Sequence, residues 1–283
     1  MPKIVNKLIL GKNIKRIDIE APQIAANFHL GQFLMVCPEK GSEWIPLAIA
    51  DADPRRNIIS VIFKEKGPAT RCLGALPIHE EIFSISGPFG RINSPKQFGV
   101  VVCVATDVYA AQILPICKAY SRAENKVIGI ISAKTKTELI LEPQMRIACH
   151  KLLLSTEDGS YQRRGNAFGM LKKLFDEENV NLVYSIGDTE MMREIAVMTK
   201  ERNIPNLIQV QTMMVCGRGI CGSCRVKVKQ QVVLSCEEGP EFDGHQMDFD
   251  YLKHRMERSC HHQEGAEPMA GAPWIFKRFM EED

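Results

Sequence analysis

The 283-residue chain has ten cysteines. Four of them crowd together: Cys216-Gly217-Arg218-Gly219-Ile220-Cys221-Gly222-Ser223-Cys224, then Cys236. The spacing C-x4-C-x2-C-x11-C is that of a plant-type [2Fe–2S] site. Three thiolates from one loop must converge on two irons, so the backbone has to wrap tightly. Gly217, Gly219 and Gly222 permit positive φ and close approach to inorganic sulfide, and backbone N–H groups can then point at the sulfurs and tune the potential. The fourth thiolate is expected from the following strand, Val232-Val233-Leu234-Ser235-Cys236. A four-cysteine zinc site usually shows two C-x2-C knuckles, and here there is one. A disulfide scaffold belongs to shorter, secreted chains. The chemistry this spacing points to is one-electron transfer.

The remaining cysteines, Cys37, Cys72, Cys103, Cys117, Cys149 and Cys260, stand alone, several inside apolar runs, as small buried hydrophobes do. No Ser/His/Asp or Cys/His set argues for nucleophilic catalysis. His245, in the Asp243-Gly244-His245 turn after the last cysteine, is expected to fix a loop rather than to act on the cluster. His261-His262 read as tail residues. Arg163-Arg164 either face a nucleotide phosphate or form a solvated charge pair. Trp274-Ile275-Phe276 either dock on a partner or fold back on the chain's own barrel.

The elements that must position these residues fall into four stretches. Residues 1–96 carry short apolar or alternating runs, such as Ile14-Lys15-Arg16-Ile17-Asp18-Ile19 and Ile58-Ile59-Ser60-Val61-Ile62-Phe63, punctuated by Gly, Pro and Asn. That pattern predicts a small antiparallel β-barrel. Residues 97–212 alternate continuous apolar strands with helices, near 108–122, 137–148, 167–178 and 189–202, and so predict a parallel α/β sheet. Such sheets bind nucleotides at the carboxyl ends of their strands. Residues 213–255 form the cysteine module, and 256–283 a charged C-terminal tail. The net charge of +2, with both signs mixed along the chain, argues against a nucleic-acid partner. No apolar run is long enough to span a membrane. No signal peptide is recognisable, and the cysteine usage predicts a reducing, cytoplasmic setting.

The run Cys221-Gly222-Ser223-Cys224-Arg225-Val226-Lys227-Val228, with Ser235-Cys236-Glu237-Glu238-Gly239-Pro240-Glu241-Phe242-Asp243-Gly244-His245, resembles a family of ferredoxin-reductase-like electron-transfer subunits. These are the electron-transfer subunit of dihydroorotate dehydrogenase B and the small subunit of NADH-dependent reduced ferredoxin:NADP oxidoreductase. The resemblance extends over about residues 3–255, and Ile45-Pro46-Leu47-Ala48-Ile49-Ala50-Asp51 favours the second relative. It implies a two-domain architecture with a C-terminal [2Fe–2S] module, FAD on the barrel, and a larger flavin/iron–sulfur oxidoreductase subunit as partner. Pro46, Leu47 and Ala48 stand where the family's flavin strand lies, without its arginine or hydroxyl. Gly67 and Thr70, in Lys66-Gly67-Pro68-Ala69-Thr70, match the turn that approaches the FAD pyrophosphate; read without the family, Gly67-Pro68 is a plain turn.

The family's nicotinamide site matches only in part. Gly187, in Ile186-Gly187-Asp188-Thr189-Glu190-Met191-Met192, matches one element, and Ser155-Thr156-Glu157-Asp158-Gly159-Ser160-Tyr161 resembles another. Where the family has a glycine-rich loop this chain has Ala105-Thr106-Asp107-Val108-Tyr109-Ala110-Ala111-Gln112. Side chains there fill the space a pyrophosphate needs at a helix N-terminus, and Asp107 repels it. The expectation is an oxidoreductase subunit that relays electrons through FAD and the cluster, with NAD(P)H binding weakened or lost. The alternatives are a competent NAD(P)H-oxidising subunit and a cluster-carrying scaffold without flavin.

Overall fold

The computed structural model describes residues 2–264, with side chains through residue 257. Cys260, His261 and His262 as side chains, and Trp274-Ile275-Phe276 altogether, lie outside the described residues.

The first ninety residues form strands β1 (Lys3–Gly11) and β2 (Ile14–Glu20), helix α1 (Pro22–Asn27), strands β3 (Phe33–Cys37), β4 (Ile45–Asp53) and β5 (Ile58–Lys64), helix α2 (Pro68–Ala75) and strand β6 (Ser84–Phe89). The strands pair antiparallel in the order β1-β2-β5-β4-β3-β6. The sheet curls so that its first strand returns to the segment before β6, through the Lys3–Glu81 bridge and Ile4 N–H donating to Glu80 O at 3.0 Å. Alternation explains the interior. Ile17 and Ile19, Leu34 and Val36, Leu47 and Ile49, and Ile59, Val61 and Phe63 all point into one core, as period-two side chains must. β3 is buried on both faces: Phe33 and Met35 belong to a second, outer cluster.

The next stretch holds β7 (Val100–Thr106), α3 (Ala110–Arg122), β8 (Lys126–Ala133), α4 (Glu142–Ala148), β9 (Lys151–Thr156), β10 (Arg163–Arg164), α5 (Ala167–Glu177), β11 (Leu182–Ile186), α6 (Thr189–Glu201) and β12 (Asn206–Gln209). Two helix starts differ from expectation. A 3-10 turn, Asp107–Tyr109, precedes α3. Residues 136–138 form another 3-10 turn, and α4 begins only at Glu142, where Pro143 suits the first turn because its missing N–H has no partner to lose. The cysteine module follows with β13 (Arg225–Val228), β14 (Gln231–Leu234), α7 (Ser235–Glu238), β15 (Glu241–Asp243) and α8 (Phe249–Glu264).

The larger sheet runs β10-β9-β8-β7-β11-β12-β15. The apolar run in β7 divides between its two faces: Val101, Cys103 and Ala105 pack against α3 and α4, and Val102 and Val104 against α5 and α6. Ile14, Ala50 and Ile62 of the barrel join the first of these cores, so barrel and sheet share apolar contacts. β15 comes from beyond Cys236, yet it pairs antiparallel with β12 as the sheet's edge. Helix α8 packs on α6 and β13 and continues past residue 255, where the module was expected to end. Among the described residues no helix is long and apolar enough to cross a membrane.

Candidate functional site

The cysteine loop lies between Met214 and β13. Gly217, Gly219 and Gly222 all take positive φ, at 68°, 73° and 66°. This coil turns backbone donors toward sulfur. Arg218 N–H and Cys221 N–H each donate to Cys216 Sγ at 3.4 Å, and Gly219 N–H donates to Cys236 Sγ at 3.2 Å. Cys224 Sγ lies 3.3 Å from Cys236 Sγ. Both of these residues are buried, Cys216 is half-buried, and Cys221 is exposed. Cys236 does not end a strand as expected: β14 stops at Leu234, and Cys236 sits on the short helix α7, whose turn swings its thiol back under the loop. Burial pushes the Cys236 thiol up to about 12, with Cys224 beside it adding to the rise. Burial also raises the Cys221 thiol, but hydrogen bonds with Ser223 and Cys216 outweigh it and bring that thiol down to about 7. Among the described residues no three His, Cys, Asp or Glu side chains are grouped as one metal ion would need. A two-iron centre asks for something else, thiols spread around a loop whose N–H groups face sulfur, and the four thiols and their donors fit it.

The loop rests on the barrel. Met214, Cys224 and Cys236 pack with Phe33 and Met35 of β3, and with Trp44, Phe89 and Leu234. On β4, Pro46 lies opposite Met35 and Ala48 opposite Phe33. Directly paired residues share a face, so Pro46 and Ala48 stand on the cluster side of the sheet. Leu47 lies opposite Leu34 and points into the barrel core. Thr70 Oγ1 accepts from Lys66 N–H and Gly67 N–H, both at 3.0 Å, and donates to Gly67 O at 2.9 Å. Its hydroxyl therefore shapes the turn, and a side chain at Gly67 would meet open space. The first N–H groups of a helix have no partner within it, so α2 presents donors of the kind that hold phosphate.

At the larger sheet, strand order reverses between β7 and β11, the crevice where open α/β sheets take ligands. Beside it Gly187 packs closely on its neighbours. A Cβ on Gly187 would stand 2.4 Å from Met191 Cε and 2.9 Å from Thr106 Oγ1. Asp188 Oδ1 accepts from Met191 N–H at 2.9 Å and so caps α6. Asp107, at φ 48°, reaches the barrel: its Oδ2 lies 2.6 Å from Lys64 Nζ, which also holds Glu138 Oε1 at 2.9 Å. Asp107 Oδ1 is buried without a hydrogen-bond partner. Tyr109 is held above the usual phenol range by burial, with Asp107 and Asp188 adding to it. Arg163 and Arg164 pair with β9 and are exposed.

His245 fixes its turn: Nε2 lies 2.9 Å from Thr199 Oγ1 of α6, and its N–H donates to Asp243 Oδ1 at 2.9 Å. Sequence reasoning missed the contacts that seat the module. Arg91 pairs with Glu238, Arg91 N–H donates to Gly239 O at 2.7 Å, and Asn93 donates to Glu241. It also missed Lys64 and Met35. Nothing local marks them, since each ends or lies within an ordinary apolar strand.

Residues 211–248 match the iron–sulfur cluster binding domain of dihydroorotate dehydrogenase B. An uncharacterized protein in the adh 3' region of Clostridium beijerinckii is 34% identical over 266 residues, covering 90% of each chain. A dihydroorotate dehydrogenase B (NAD(+)) electron transfer subunit homolog of Thermotoga maritima is 30% identical over 254 residues, again covering 90% of each. The chain belongs to the dihydroorotate dehydrogenase B electron-transfer subunit family. A chain of the NADH-dependent reduced ferredoxin-NADP oxidoreductase structure, described for flavin-based electron bifurcation, superposes with a TM-score of 0.89 at 28% identity, over 99% of this chain and 98% of that one. Membership in the electron-transfer subunit family makes this chain an electron-transfer subunit of an oxidoreductase, on a ferredoxin-reductase-like fold with a C-terminal iron–sulfur domain.

Proposed function

We propose that this subunit relays electrons between FAD on the barrel and a [2Fe–2S] cluster in the cysteine loop, and onward to a larger oxidoreductase subunit in a reducing cytoplasm. FAD and the cluster are the cofactors of this family and fold, and together they supply conversion between two-electron and one-electron steps. The chain's own residues would do the rest. Cys216, Cys221, Cys224 and Cys236 would hold the irons, with Cys224 and Cys236 already 3.3 Å apart. The N–H groups of Arg218, Gly219 and Cys221 stabilise negative charge on sulfur. The turn at Gly67 and Thr70 and the start of α2 hold the FAD pyrophosphate. Pro46 and Ala48 would face the flavin, and they stand beside Met35 and Phe33, on the side of the sheet that the cysteine loop covers.

The observation that supports this reading is the apolar contact of the cysteine loop with β3, which would bring a cluster held in that loop against the candidate flavin sheet. Anaerobically purified protein is expected to carry about two irons and two acid-labile sulfides per chain, and to release fluorescent flavin on denaturation. Zinc in place of iron would overturn the cluster assignment. Iron without flavin would leave a cluster-bearing scaffold.

The nicotinamide site is weakened or lost in this reading. Asp107 opens the turn that leads into α3 and Asp188 caps α6, so a carboxylate stands at each place where phosphate would sit. Titration with NADH and NADPH is expected to show no micromolar binding.

A further inference from the structure

Lys64, Asp107 and Glu138 form a clasp across the cleft between barrel and sheet. Lys64 is the last residue of β5, Asp107 opens the turn after β7, and Glu138 lies in the turn after β8. Their side chains are 21%, 27% and 17% exposed, so the ion triad is largely shielded. Three features single out Asp107. It holds the left-handed region, at φ 48°, which a non-glycine residue visits at a cost. One of its carboxylate oxygens is buried without a partner, although the other meets Lys64. And it opens the 3-10 turn that leads into α3 beside the switch point, where backbone donors would otherwise favour an incoming anion.

A dinucleotide would bring its pyrophosphate to that same place. It would meet the net negative charge of the Asp107–Lys64–Glu138 triad, with Asp188 across the crevice, while the cation that would otherwise attract it, Lys64, is already held by Asp107 and Glu138. We propose that Asp107 is the specificity-determining residue that excludes dinucleotide phosphates from this sheet, and that Lys64 holds it in place. The proposal rests on the reading of weakened nicotinamide binding and names the residue responsible. The crevice side chains set how well a nucleotide fits; Asp107 sets whether its phosphates are repelled.

Isothermal titration of the purified, cofactor-loaded chain with NADH and NADPH tests this. Asp107→Gly relieves the left-handed strain, removes the carboxylate and leaves Lys64 facing the helix start. Asp107→Asn keeps the shape and the tolerated backbone conformation but removes the charge. Both are expected to bind at least one dinucleotide about tenfold or more tighter than wild type, since like-charge juxtaposition is costly at a binding surface. Lys64→Ala, which frees the carboxylate, is expected to gain nothing. Two folded Asp107 variants that bind no better than a silent wild type would overturn this inference and leave the relay reading intact. An equal gain from Lys64→Ala would also overturn it, by showing that the clasp and not the carboxylate is the barrier. Micromolar binding by wild type would overturn the reading beneath it as well.

Discussion

Gly217 touches Met35: a Cβ built on the glycine would stand 2.7 Å from Met35 Cγ and 3.1 Å from Phe89 Cδ2. This contact joins the cysteine loop to the barrel, and Met35 is in turn paired with Pro46 on the candidate flavin strand. Gly217→Ala forces an alanine to φ 68°, a cost of about 1–2 kcal/mol, and pushes the loop off β3. The variant is expected to lose several degrees of Tm and to carry less iron and acid-labile sulfide per chain. Unchanged Tm and iron content would show that the loop does not depend on this contact.

The cysteines divide by environment. Cys224→Ala and Cys236→Ala are expected to abolish the visible absorption of the cluster, because a methyl group offers iron no donor atom. Cys103→Ser is expected to retain it. Cys103 lies in the sheet core with Cys117 and Cys149. Its substitution costs stability through a buried hydroxyl but touches no part of the loop. Iron analysis alongside thermal denaturation separates the two effects.

Asp18 on β2 accepts hydrogen bonds from Ser60 Oγ at 2.6 Å, Arg16 Nε at 2.7 Å and Asn6 Nδ2 at 2.9 Å. Burial alone would raise its carboxyl, but these bonds outweigh burial and hold it below the usual carboxylate range. A group depressed in the folded state contributes stability that is complete above its unfolded pKa, about 3.9, and is lost as pH falls through the lower folded value. Wild type is therefore expected to lose stability progressively below about pH 4. Asp18→Asn is expected to be about 2 kcal/mol less stable at neutral pH and to show a flatter dependence of Tm on pH below 4. An equal acid slope in both proteins would remove Asp18 from the account.

Asn93 ties the segment between barrel and sheet to Glu241 on β15, a carboxyl raised by burial and only partly brought back down by the nearby Tyr184 hydroxyl and the Asn93 amide. Asn93→Ala leaves that carboxylate short of a donor, at about 1–3 kcal/mol, and loosens the cysteine module where it joins the sheet. Hydrogen exchange is expected to quicken across residues 238–243 while β1 and β2 keep their protection. Faster exchange throughout would indicate global destabilisation instead.

The sequence alone determined the features that need only a short window. The C-x4-C-x2-C spacing with its interleaved glycines prescribes a loop that brings thiols together. The short runs at 14–19 and 58–63, closed off by Gly, Pro and Asn, mark barrel strands, and the unbroken run Val100–Val104 marks a strand covered on both faces. Set beside the resembled family, Asp107 was legible as a residue standing where a glycine-rich loop was expected. Tertiary structure decided what those pieces meet. Lys64 reaches Asp107 across 43 residues and Asn93 reaches Glu241 across 148, and neither pair leaves a periodic trace. The turn that lifts Cys236 onto α7, the return of β15 to the sheet edge and the seat of Gly217 on Met35 follow the same rule. Local propensity and pattern fix a segment's conformation, but its partner depends on which distant surfaces complement it once the apolar faces have been buried.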